Sequence, residues 1–127
     1  MDIDILISNI GRIRNKIAEL NKKVSDKQKE INDNNRKISE NDKKIRTTKS
    51  DTTIKSCLSK NASLSKKNAT LNKEISNLQR NIISNQKKLT SYEKQLNNAQ
   101  QENQFIYSTQ VIPEIKEEKN MSQDEYN

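Results

Sequence analysis

The residues able to do chemistry in this chain are few, and they gather at one place. Cys57 is the only cysteine and histidine is absent, which removes an internal disulfide, the usual general base and a common metal ligand. Around that cysteine, the stretch IRTTKSDTTIKSCLS, residues 45–59, fills with Thr and Ser in a chain otherwise dominated by Ile, Asn and Lys. Hydroxyls beside a helix start could hold a phosphate. The glycines and the Gly-Lys-Ser/Thr order of a phosphate loop are missing, so the stretch reads as a turn and a helix cap. No carboxylate pair, nucleophile with a base, or metal cluster stands out. The residues give no catalytic site, no cofactor and no metal site, and the chain is expected not to be an enzyme.

Composition limits what can position such residues. The 127 residues are 29% hydrophobic, 3% aromatic and 32% charged, with one Gly and one Pro, too little apolar material for an ordinary globular core. The net charge of +7 is uneven. Residues 1–46 carry 12 basic and 8 acidic side chains, residues 52–104 carry 9 and 3, and residues 105–127 carry 2 and 5. A basic rod with an acidic tail follows. Asp2 and Asp4 stand where a secretory signal needs positive charge, and no run approaches the roughly 18 apolar residues of a membrane span. A cytoplasmic location with no membrane partner is the expectation.

Periodicity supplies the architecture. Counting in sevens from Ile3 gives Ile10, Ile17, Val24, Ile31, Ile38 and Ile45, every one β-branched. The companion positions are Leu6, Ile13, Leu20, Lys27, Asn34 and Asn41, so this seam is apolar first and polar near the Thr/Ser stretch. A second series runs Ile54, Asn61, Asn68, Ile75, Ile82, Leu89 and Leu96, with companions Cys57, Leu64, Leu71, Leu78, Asn85, Tyr92 and Ala99. From Ile45 to Ile54 is nine residues, and nine steps of about 100° put the second stripe opposite the first on one unbroken helix. Folding the chain back brings the two together.

The fold class is therefore all-α: an antiparallel two-helix coiled-coil hairpin over 1–104, with a helix over about 2–47, a turn at about 48–50 and a helix over about 51–104. Residues 105–127 read as a tail or linker. A parallel coiled-coil dimer is the alternative, because β-branched residues at one seam position with Leu at some of the others suit two parallel strands. Hairpins of this size bury little apolar area alone, which favours self-association. At the reversal, Lys43, Lys44 and Arg46 suit the negative end of the first helix. Ser50 or Asp51 can accept from the amides that open the second. Asp2 and Asp4 do the same at the start.

Two registers satisfy the seam. If paired numbers sum to 102, Asn41 faces Asn61 and Asn34 faces Asn68. The mismatches are Lys27 with Ile75 and Ile17 with Asn85, and Lys37/Lys67 and Lys44/Lys60 repel. If they sum to 95, Asn34 faces Asn61 and Lys27 faces Asn68. Asn41 then meets Ile54 and Ile10 meets Asn85, while Glu30/Lys67 and Lys23/Glu74 attract. Exposed charge pairs contribute only about 0–1 kcal/mol each, so the two tie. The Asn residues read as register devices, and Cys57 as a small apolar seam residue. The basic residues are scattered over both helices without stacking aromatics, so a nucleic-acid-binding rod is the less favoured reading.

The stretch TKSDTTIKS, residues 48–56, followed by LSKNASLSKKNATLNKEISNLQRNI, resembles the N-terminal coiled-coil segment of bacterial TIR-domain proteins. In these a short Thr/Ser turn, often with Pro where Asp51 stands, precedes a Lys-rich helix. Pro favours the first helical position, so the resemblance places Ser50 at the cap and Asp51 next. STQVIPEIKEEKNMSQDEYN looks like the family's linker to the first TIR strand. The resemblance implies a non-catalytic oligomerisation or regulatory module for an NAD-cleaving effector of antiphage defence or virulence, with that C-terminal domain absent from this chain. It implies a homo-oligomer. The alternative is a free-standing small helical protein whose seam is completed by another helical protein, as in a secretion partner or a phage component.

Overall fold

The computed structural model describes the backbone of residues 2–126 and the side chains of residues 2–105. Two helices account for it: α1, Ile3–Thr47, and α2, Asp51–Tyr126. They pack against one another as an all-α helical hairpin. Their residues group into two compact units, Asn15–Gln86 and Met1–Arg14 with Lys87–Asn127, to each of which both helices contribute.

The helix ends have identifiable chemistry. Asp2 opens α1: its Oδ1 accepts from the Asp4 amide at 3.2 Å and its carbonyl from Leu6 at 3.1 Å. Basic Lys44 and Arg46 occupy the last turn, against the negative end of the helix. There the Thr47 hydroxyl donates back to the Lys43 carbonyl at 3.0 Å, and the Thr48 amide to Lys44 at 2.9 Å. Thr48 Oγ1 then accepts from the Ser50 amide at 3.1 Å, and Ser50 Oγ from the Thr53 amide at 3.3 Å. Of the two candidates that the turn chemistry offers, Ser50 is thus the N-cap of α2 and Asp51 its first residue. Replacing Ser50 with Ala removes the cap acceptor and is expected to cost about 1 kcal/mol, read as a lower urea midpoint with an unchanged slope.

In the Asn15–Gln86 unit the burial follows the heptad. Leu20, Ile31, Asn34, Cys57, Ile75 and Ile82 are buried. Half-buried with them are the remaining seam positions, among them Ile17, Ile38, Leu64, Leu71 and Leu78. Two long amphipathic stripes facing each other remove these side chains from water, and that burial is the main drive for the pairing. In the other unit, Leu6 and Ile10 are buried while Ile13, Leu89, Tyr92 and Leu96 are half-buried. Arg14 pairs with Glu93 there at 3.2 Å, both well exposed.

One expectation fails. The second helix, expected to end at about 104, continues to Tyr126. Pro113 disfavours a helix interior by about 3 kcal/mol, but the segment contains no Gly and is rich in Gln, Glu and Lys, which are good helix formers. The side chains of the expected linker beyond Phe105, including the apolar group Ile106, Tyr107, Val111 and Ile112, lie outside the described residues.

Candidate functional site

The most specific chemistry in the molecule is a ladder of amides inside the hairpin seam. Asn34 Nδ2 donates to Asn68 Oδ1 at 2.9 Å, and Asn41 Nδ2 donates to Asn61 Oδ1 at 2.9 Å. Both pairs sum to 102, which settles the register and the antiparallel sense of the strands. Each Asn of α2 then uses its own N–H on a second partner. Asn68 Nδ2 donates to Asn35 Oδ1 at 2.9 Å, and Asn61 Nδ2 to Asp42 Oδ1 at 2.9 Å. The result is the same clamp twice, seven residues apart: one Asn of α2 held between two consecutive residues of α1. Asn34 itself is only 8% exposed, a position where an amide without partners would be costly.

The two seam mismatches of this register are handled locally. Lys27, level with Ile75, reaches sideways to form a hydrogen-bonded ion pair with Glu74. Asn85, level with Ile17, turns its Nδ2 back to the Asn81 carbonyl at 2.7 Å within its own helix. Among the described residues, no buried side-chain nitrogen or oxygen lacks a partner. Cys57 is free and buried at the end of the seam nearest the turn, level with Ile45.

The Lys27 pair makes stability depend on pH. Its hydrogen bond to Glu74, opposed by desolvation and aided by the charges of Glu74 and Glu30, raises the Lys27 pKa above its ordinary 10.5. A raised folded-state value means that the ammonium is favoured by folding. The contribution is complete below 10.5 and disappears as pH rises through the raised value. Chemical denaturation should show a wild-type advantage over Glu74→Gln that is constant from neutral pH up to that range and shrinks above it.

The site residues read from the sequence are thus brought together in part. Ser50 forms the cap with Asp51 in the first turn after it, Asn34, Asn41, Asn61 and Asn68 form the clamps, and Lys27 and Asn85 leave the seam contact to local partners. Sequence reasoning missed Asn35 and Asp42 as second acceptors, and the pairing of Glu74 with Lys27. The signal was present: each seam Asn of α1 is followed by another amide or carboxylate side chain, in the dipeptides Asn34-Asn35 and Asn41-Asp42.

Beside the seam run shallow grooves of mixed charge, one lined by Lys23, Asp26, Glu30, Glu74 and Asn81, the next by Asp33, Lys37, Ser63, Lys67 and Thr70. Among the described residues no group of three or more His, Cys, Asp or Glu could hold a metal ion, and no helix is long and apolar enough to cross a membrane. Comparison of the chain with protein-family models, with curated proteins and with solved structures returns no match.

Proposed function

We propose that this chain is a non-catalytic helical module that brings copies of itself together and carries an effector at its C-terminal end. The observation that supports this most is the doubled Asn clamp. Amides in a seam cost stability relative to Leu or Ile at the same places, and what they provide is one register. A single register is what an assembly module needs if its surfaces and its far ends are to be reproducible.

The resemblance of the turn to the N-terminal segment of bacterial TIR-domain proteins points the same way. In this reading the effector is an NAD-cleaving TIR domain, in antiphage defence or virulence. The partner is a second copy in the cytoplasm, and the hairpin itself takes no cofactor. Light scattering across concentration tests it: a dimer or higher species should be present at high micromolar chain, and a strict monomer there would overturn the proposal.

A further inference from the structure

The Asn15–Gln86 unit segregates its charge to an unusual degree. Take the positions one and four residues after each of Ile17, Val24 and Ile31 and one after Ile38 on α1, and four after Ile54, one and four after each of Asn61, Asn68 and Ile75, and one after Ile82 on α2; the charged Asp42 and Lys55, next in the same two series, bound the strip at its turn end. At about 100° per residue these form a single strip alongside the seam on each helix. Because antiparallel helices are related by a local two-fold, equivalent positions of both helices share one broad side of the hairpin.

On α1, from Ala18 to Ser39, the strip consists only of Ala, Ser, Asn and Gln, all exposed. On α2, from Leu58 to Ile83, it consists only of Leu, Ile, Ala, Ser, Asn and Gln, again all exposed. Every charged residue in these two stretches, apart from Lys27 in the seam, stands elsewhere. The two large aliphatic side chains that this unit exposes, Leu58 at 54% and Ile83 at 52%, both lie on the strip.

We propose that this uncharged side is the surface on which a second copy of the chain docks, with the two α2 helices antiparallel about a two-fold axis between residues 70 and 71. The proposal rests on the self-association reading above and names its surface. Depletion of charge is one compositional mark of an interface core. For a chain of net charge +7, this is also the side on which two copies approach without setting lysines against lysines.

The sequence is self-complementary in this arrangement and in one register. When numbers on the two α2 helices sum to 141, Leu58 meets Ile83 of the other copy and Ser65 meets Ser76. In the same register Gln79 lies over Ala62, and Asn72 over Ala69. Apolar anchors close both ends, and each amide side chain faces a small residue that leaves room for it. The strip is about 32 Å long on α1, about 38 Å on α2 and about 20 Å across the two helices, roughly 700 Å² per copy, a little under the ~800 Å² of a standard-size partner surface. A reversible association follows rather than an obligate one.

The test uses the full chain with Cys57→Ser. Sedimentation equilibrium should show that Ala62→Glu with Ala69→Glu weakens self-association by at least about tenfold, because like charges are forced together. Thr70→Glu, off the strip, should not, and circular dichroism should show the helices intact in both. Mixed Ser65→Cys and Ser76→Cys chains should form an interchain disulfide on oxidation, whereas Ser63→Cys with Ser76→Cys should not. This pairing also decides the matter should the double Glu variant lose helicity. Association that persists in the double Glu variant, with no bridge between 65 and 76, would overturn the docking surface and leave self-association standing. A chain that is monomeric at high micromolar concentration would overturn both.

Discussion

Replacing Asn68 alone with Leu should destabilise the hairpin by about 1–3 kcal/mol, and replacing Asn34 and Asn68 together with Leu should make it more stable than the wild type. The asymmetry follows from what each change leaves behind. The single substitution removes the acceptor of the Asn34 amide, which is 8% exposed. The double substitution removes both polar groups and adds two apolar side chains to the seam. Carrying the exchange on to Asn41 and Asn61 should stabilise further and erase the register. With all four positions Leu, pairs summing to 95 become as apolar as pairs summing to 102. Oxidative cross-linking reads the outcome: Cys57 should bridge to Ile45→Cys only in the wild-type background, and to both Ile45→Cys and Ile38→Cys in the four-Leu background. A four-Leu chain that still bridges only to position 45 would show that something other than the clamps sets the register.

Leu20→Ala should be the most damaging apolar truncation in the Asn15–Gln86 unit, costing about 2–5 kcal/mol. Leu20 is 3% exposed and level with Ile82, itself 8% exposed, in the stretch where the seam carries no polar clamp. Against a total stability of about 5–15 kcal/mol for a typical domain, a loss of this size is a large part of what holds two helices together. Leu64→Ala provides the comparison. Leu64 is only half-buried, between the two Asn clamps, so the same chemical deletion should cost clearly less. Urea denaturation of the two variants side by side checks the order, and equal losses would mean that burial does not grade the seam as described.

The heptad was legible because it is almost the only source of burial here. Every buried residue among those described, from Leu6 to Ile82, occupies a position that counting in sevens identifies. The reversal was legible for a related reason: a nine-residue offset cannot be served by one straight seam, and Ser50 with Asp51 gives the chain a place to restart. The register was not legible from seam partners and charges alone, since those tie. In the observed register each α2 Asn makes two hydrogen bonds across the seam, Asn61 with Asn41 and Asp42, and Asn68 with Asn34 and Asn35. The clearest difference in the other is Asn41, which would have met Ile54 in place of an amide. Counting one partner per amide, when an amide has donors and an acceptor to satisfy, undervalues the observed clamps.

The end of α2 was less legible, because Pro113 argues for a stop and the helix formers around it argue against one. The propensity cost of Pro113 falls on one turn, whereas the favourable residues act over the whole segment. The ion pairs were misjudged for a different reason. Long side chains such as Lys27 and Arg14 reach partners that a rigid pairing of opposite positions does not anticipate.

The three-residue turn between Thr47 and Asp51 also sets an order of events for the chain as it closes. Contacts near a tight turn enclose the shortest loops, so they cost the least entropy to form first. Going outward, the Asn41 and Asn61 clamp spans 20 residues, the Asn34 and Asn68 clamp 34, and the Lys27 and Glu74 pair 47. Only beyond the clamps does the zipper reach Leu20 and Ile82. A hairpin that starts in the register summing to 95 therefore sets Asn41 against Ile54 while few apolar contacts have formed and reopening is still cheap. The polar half of the seam acts as a proofreading stretch, placed ahead of the apolar half that locks the result.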